Sequence, residues 1–329
     1  VNEVTKVGLL LCVGLVLNVV LADWYRERVM WNGIPETTTR QFDEARGGID
    51  TLILGDSHAK RGLYPSVLGD AFNLSIPGQK YTQTYYVVRS QIEDGSVDLR
   101  IVILPADLHT FALWNTDNFA FVRYYAPIAN YLEIGWHRGA LWLYAVRGLQ
   151  GRYAPYVGGR QNILSYLATG RPAVLQWLQD TPMVEGALVD ARTIAKLPPD
   201  EIVERARQRA RLHLGDAGPI APIHEWYFSR TLELCAANDI EVVLVQYPVT
   251  RAYLDAVSER TDIEAFDRRI QALIEPYRNV RLVPSRNLYG KRLDLFIDPD
   301  HLNERGATSF SRRIKRRVLD PLRQRIARD

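Results

Sequence analysis

Two short clusters, far apart in a 329-residue chain, carry the residue types needed for acyl chemistry. The first is Gly55-Asp56-Ser57-His58, directly after the apolar run Thr51-Leu52-Ile53-Leu54. A strand that ends abruptly in Gly-Asp-Ser presents a hydroxyl at its carboxyl end, where ligands bind in open parallel sheets. Gly55 permits a tight turn and Asp56 suits it. Ser57 then opens the next segment, beside backbone N–H groups that can receive an oxyanion. The second cluster is Asp298-Pro299-Asp300-His301-Leu302-Asn303. A serine hydroxyl is a weak nucleophile until a base takes its proton. His301 can be that base, with a carboxylate on its other ring nitrogen to hold the tautomer. Asp298 and Asp300 compete for that role.

A serine after the first core strand, matched with Asp-x-x-His just before a last helix, resembles the SGNH (GDSL-type) hydrolase superfamily. The resemblance covers about residues 49–109 and 226–320. It implies Ser57 as nucleophile and His301 as general base, and its spacing selects Asp298 as the residue that orients His301. It also implies three oxyanion donors: the Ser57 backbone N–H, the Gly78 backbone N–H in the turn after the second strand, and a side-chain amide after the third. The stretch at that last place is Pro105-Ala106-Asp107-Leu108, with Asp107 where the family carries asparagine. A carboxylate repels an oxyanion unless protonated, and removing one donor typically costs about 10²–10³ in turnover. Either two donors suffice, or Gln79 substitutes, or Asp107 has another duty.

No metal-ligand cluster is read among the six histidines, and no cofactor is expected. His58, His109, His137, His213 and His224 read as surface or packing residues, although His58 and His109 follow strands and can line the cleft. The two cysteines, Cys12 and Cys235, provide no disulfide framework.

The elements that must position these groups alternate. Strands are expected at about Ile49–Leu54, Ala71–Ile76, Asp98–Leu104, Ile240–Pro248 and Val280–Val283. Helices are expected at Thr82–Ile92, Thr231–Asn238 and Ile263–Ile274, and after Asn303 as N-cap. That order predicts an α/β fold, a three-layer, doubly wound, mostly parallel sheet. Roughly 110–225 breaks the rhythm. It is rich in Trp and Tyr, looks helical at Ile163–Thr169, Pro172–Leu178 and Pro199–Leu214, and is expected as a helical insertion beside the site.

Val7 to Ala22 is sixteen residues without a charge, interrupted mainly by Asn18 and followed by Trp24 and Tyr25. A spanning helix needs about 20 apolar residues, and interfacial aromatics would extend this one. A signal peptide also fits; an uncleaved anchor is favoured. Residues 1–29 are thus expected as an anchor and juxtamembrane segment, 30–48 as a linker, and 49–329 as the catalytic domain with its insertion. Composition, 47% hydrophobic and 24% charged, argues against wholesale disorder. Net charge is +3, but residues 304–329 hold nine Lys/Arg and three Asp/Glu, or +6, leaving −3 elsewhere. The protein has a basic tail rather than a basic surface, and no nucleic-acid partner is expected.

Anchor, linker, SGNH-like core and insertion together resemble the accessory proteins of exopolysaccharide O-acetylation, which are similar to alginate-type acetyltransferases. That resemblance implies a single-pass protein of the cytoplasmic membrane with a periplasmic catalytic domain. The implied partners are a glycan substrate and a membrane-bound O-acyltransferase. An esterase with the same triad, or a non-catalytic membrane partner in a polysaccharide assembly complex, are the alternatives.

Overall fold

The computed structural model describes residues 2–30, 33–112, 122–170, 181–215 and 220–328. The chain divides into two compact units: Val1–Thr37 with Asn118–Asp180, and Thr38–Asp117 with Thr181–Asp329.

The larger unit is built on a five-stranded sheet. Its strands are β1 (Thr51–Ile53), β2 (Ala71–Asn73), β3 (Ile101–Pro105), β6 (Glu241–Gln246) and β7 (Val280–Pro284). A separate two-stranded hairpin holds β4 (Met183–Val184) and β5 (Ala187–Leu188). The sheet order is β2-β1-β3-β6-β7 and every neighbouring pair is parallel. Leu52 pairs with Phe72 on one side and Val102 on the other, and Val102 pairs in turn with Val242. Strands this apolar along their whole length are those buried on both faces. Side chains alternate between the faces. Ile53, Ile101, Ile103, Val243 and Val245 share one core with Phe310, Ile314 and Val318 of the final helical segment. Helices Tyr81–Asp94 and Pro222–Ala236 also pack together, with Tyr81 and Phe228 rings 4.9 Å apart and Tyr86 and Tyr227 hydroxyls 3.2 Å apart. The result is the expected three-layer α/β fold, with the sheet order reversing direction beside β1.

Residues 30–48, expected as a linker, contain a helix, Ile34–Ala45. Pro35 suits a first helical turn, and Phe42 is buried against Phe72 with ring centroids 5.3 Å apart. Helix Pro199–Leu214 falls where expected, while Pro172–Leu178 lies outside the described residues.

In the smaller unit, helix Glu3–Trp24 is N-capped by Asn2 and continues as a wider turn through Val29. It is long and apolar enough to cross a membrane; 22 residues rise about 33 Å, near the roughly 30 Å hydrocarbon thickness. The sixteen-residue uncharged run understates it because the helix extends beyond both ends of that run. Asn18 is not a stray polar residue. Its Nδ2 donates to the Tyr153 carbonyl at 2.9 Å, and the Tyr156 hydroxyl donates to its Oδ1 at 2.7 Å. Tyr25, Val29 and Met30 form a small core with Trp24, Tyr156, Ile163 and Tyr166. Asn118–Asp180, the greater part of the expected insertion, thus groups with the N-terminal helix, whereas residues from Thr181 onward belong to the sheet unit.

Candidate active site

The turn after β1 is built for close approach. Gly55 has φ +132°, and a Cβ there would lie 2.7 Å from the Pro105 ring, so only glycine fits. Asp56 caps the helix Ser57–Gly62 by accepting from the His58 backbone N–H at 2.9 Å. Ser57 therefore sits at the first position of a helix, at the carboxyl end of β1.

The second loop is fastened on both sides of its histidine. Asp298 Oδ1 accepts from the backbone N–H of Asp300 at 3.1 Å and of His301 at 2.9 Å. Phe296 and Leu302 form an antiparallel bridge across the loop. Asn303 then caps helix Glu304–Ile314 by accepting from Gly306 N–H at 3.1 Å, while its amide donates to the carbonyls of Asp294 and Arg192.

These two loops bring the expected residues together. His301 Nε2 lies 2.8 Å from Ser57 Oγ, and His301 Nδ1 lies 2.8 Å from Asp298 Oδ2. A proton on Nδ1 facing the carboxylate leaves the Nε2 lone pair facing the serine hydroxyl, the tautomer a general base requires. The competing carboxylate, Asp300, is 3.8 Å from the same Nδ1 and is engaged elsewhere. Distance favours Asp298, the residue that the family resemblance implies.

Asp300 anchors a buried charged cluster. It accepts a forked pair from Arg209, Nε at 2.8 Å and Nη2 at 2.7 Å, and lies 3.1 Å from His58 Nε2. The other His58 nitrogen, Nδ1, is 3.3 Å from Asp107 Oδ2. An imidazole with a carboxylate at each nitrogen donates from both, which makes it a cation. Burial works against that charge, but the bonds to Asp107 and Asp300 win and raise the His58 pKa to about 10. Burial would likewise raise the Asp300 carboxyl, yet His301, Arg209 and His58 hold it well below the usual range. Asp56 follows the same pattern: burial opposes its charge, and His109, His58 and Lys80 overcome it. Lys80 is pushed down to about 8 by burial, with Asp56 opposing; its ammonium donates to the His109 carbonyl.

Asp107 thus has another duty. Its Oδ2 faces His58 and its Oδ1 accepts from the Tyr247 backbone N–H at 3.1 Å, so neither oxygen serves an oxyanion. The Gln79 amide is buried and donates to Thr84 Oγ1 at 2.9 Å. Gly78 lies in a tight turn. Ile76-Pro77-Gly78-Gln79 is closed by Gln79 N–H to the Ile76 carbonyl at 2.9 Å, with Gly78 at φ +80° as a type II turn requires. Ile76 N–H donates to the Gly55 carbonyl at 3.0 Å, tying this turn to the serine turn.

The histidines correct the sequence expectation. His58, His109, His213 and His301 converge: ring centroids are 4.1 Å apart for His58 and His109, 4.7 Å for His109 and His213, and 5.0 Å for His58 and His301. His213 Nδ1 is 2.7 Å from the Tyr253 hydroxyl, and burial holds its pKa well down. His109 Nε2 is 2.6 Å from Asp56 Oδ2 but outside hydrogen-bond alignment. Two donor groups, His58/Asp107/His109 and His58/Asp300/His301, have ligand atoms within 4.8 Å of one another, a spacing a cation can use. His58 is common to both and already bridges Asp107 and Asp300, so the arrangement reads as an ion-pair network. Arg209 and His213 went unrecognised in the sequence as site residues. Their only signal was their spacing, four apart and hence on one helix face.

The cavity lined by Arg46, Asp50, Asp98 and Arg323 lies at the amino ends of the strands, opposite the serine. It plays no part in this chemistry.

No family model matches the chain, and no curated protein does. Solved structures do. One, provisionally described as a platelet activating factor from Streptococcus pneumonia, is 12% identical with a TM-score of 0.38, covering 96% of this chain and 99% of that one. Another, provisionally described as an acylhydrolase from Bacteroides fragilis NCTC 9343, is 11% identical with a TM-score of 0.40, covering 89% of this chain and 98% of that one. At such scores they are similar in outline only, and the α/β assignment stands on the sheet order itself.

Proposed function

We propose that this protein performs serine-dependent acyl-ester chemistry, with Ser57 as nucleophile, His301 as general base and Asp298 as its orienting carboxylate. The supporting observation is the continuous relay from Asp298 through His301 to Ser57, 2.8 Å at each step. In the first half-reaction, Ser57 Oγ bonds to the acyl carbon as its proton passes to His301 Nε2. The oxyanion faces the backbone N–H groups of Ser57 and Gly78. Collapse expels the leaving oxygen, which takes the proton from His301, and leaves acyl-Ser57. In the second, an acceptor hydroxyl gives its proton to Nε2, attacks the acyl carbon, and Ser57 recovers its hydrogen.

The finer proposal is that the acyl group is acetyl and the acceptor an extracytoplasmic glycan, with a membrane-bound O-acyltransferase supplying acetyl groups. Two features support it: the resemblance to membrane-anchored exopolysaccharide O-acetyltransferases, and an apolar N-terminal helix suited to holding the enzyme beside such a partner. Incubating the full chain in detergent with an activated acetyl ester and an oligosaccharide tests both levels. Acetyl appearing on sugar, absent in Ser57→Ala, is the expected result. Acetate alone would make the protein an esterase. Equal product from wild type and Ser57→Ala would overturn the enzyme reading.

A further inference from the structure

Helix Leu141–Tyr153 is apolar on two opposite faces. One face, with Tyr144 and Gly151, is buried within the smaller unit. On the other, Trp142, Val146, Leu149 and Tyr153 fall at i, i+4, i+7 and i+11, a single stripe on a 3.6-residue repeat. Trp142 is 81% exposed, Leu149 59% and Tyr153 58%. Trp136, on the neighbouring helix Tyr131–His137, is 74% exposed. An exposed stripe of large apolar residues marks a contact surface rather than a solvated one.

Charge indicates what covers it. Leu141–Tyr153 has no acidic residue and two arginines, Arg147 and Arg152. Across 122–170 there are five Arg and one Glu, or +4, in a molecule whose net charge is +3. Position adds a second indication. The helix's carboxyl end is fastened to the end of the apolar N-terminal helix: Tyr153 carbonyl to Asn18, and Arg152 carbonyl to Arg26 Nη2 at 2.6 Å. Trp24, half-buried, stands at that same end. Trp and Tyr gather where a bilayer meets water, and amphipathic helices with basic flanks lie in that interface.

We propose that helix Leu141–Tyr153 lies on an anionic phospholipid leaflet. Its Trp142–Tyr153 stripe enters the boundary between headgroups and acyl chains, while Arg147 and Arg152 meet lipid phosphates. This rests on helix Glu3–Trp24 crossing the same bilayer. The smaller unit would then be held by two elements, one spanning and one lying flat, which restricts that unit's orientation as a spanning helix alone does not.

The test uses the full chain, with Cys12→Ser and Cys235→Ser, in vesicles of phosphatidylcholine and phosphatidylglycerol. An environment-sensitive fluorophore is placed in turn at Trp142→Cys, Leu10→Cys and Glu264→Cys, all exposed sites, with an unchanged circular dichroism spectrum required of each labelled variant. Lipids carrying a nitroxide on the upper acyl chain should extinguish most of the signal at Trp142 and Leu10 and leave Glu264 bright. Loss at Leu10 with none at Trp142 would overturn the surface helix while keeping the anchor. No loss at Leu10 would overturn the anchor and this inference with it. Energy transfer between Trp142 labels on two copies, without lipid quenching, would assign the stripe to a second copy and overturn the lipid contact.

Discussion

The two units place the same kind of side chain in opposite surroundings. In the sheet unit, Ile53, Ile101, Ile103, Val243 and Val245 are wholly buried beneath the final helical segment. In the smaller unit, Leu10 is 71% exposed, and Trp136 and Trp142 also face outward. Polar groups reverse the contrast. The sheet unit buries Asp56, His58, Lys80, Asp107 and Asp300 behind its serine, whereas the smaller unit joins its helices through Asn18, Tyr153 and Tyr156. One unit hides apolar surface from water and concentrates charge for chemistry. The other turns apolar surface outward, including a helix long and apolar enough to cross a membrane. A single average, 47% hydrophobic, conceals the division.

The contrast can be broken by substitution, starting with the largest expected effect. Asp298→Asn keeps His301 in place but loses control of its tautomer, and turnover of a small activated ester should fall about 10⁴-fold. Trp142→Ser should leave that turnover unchanged in detergent; a comparable loss would mean that the smaller unit takes part in the chemistry.

Stability should divide the same way. Phe310→Ala empties the sheet unit's core and should cost about 3–5 kcal/mol by denaturant unfolding. Trp142→Ser, at an exposed site, should change it by less than about 0.5 kcal/mol. Equal costs would show that the Trp142 stripe is packed within the protein.

The smallest effect is a slope. His58 binds its proton more tightly folded than unfolded, because its pKa is raised from 6.5 to about 10. Its contribution is fully present below pH 6.5 and lost as pH rises through about 10. Between those values His58 contributes stability that falls as pH rises, opposed by the buried Lys60 and, above about pH 8, by Lys80, whose folded pKa values are lowered. His58→Gln should lose that part of the slope. An unchanged slope would place the charge elsewhere in the cluster.

Much of the sheet unit is legible in the sequence, since its strands are continuous apolar runs and both loops that carry the triad are local motifs. Ser57 at a strand end is a weak signal alone; it becomes legible only with Asp298 and His301, three positions apart, through the family resemblance that the pair carries. The cluster behind them does not become legible in that way. His58 follows β1, His109 follows β3, and Arg209 and His213 come from helix Pro199–Leu214; only the tertiary fold brings them together. Asp107 shows the same limit: its type says that it is no amide donor, but its partners, His58 and the Tyr247 N–H, are distant in sequence. Helix Ile34–Ala45 was obscured by threonines, a proline and flanking glycines, which punctuate a sequence as a linker does. Asn18 looked like a flaw in an apolar run because its partners lie more than a hundred residues away.

The central claim is that Ser57 is an activated nucleophile. It is tested most directly by treating the full chain with a fluorophosphonate and locating the adduct by peptide mass. One adduct, on the peptide that contains Ser57 and lost in both Ser57→Ala and His301→Ala, is the predicted result. No adduct on wild type, or the same adduct in Ser57→Ala, would contradict it.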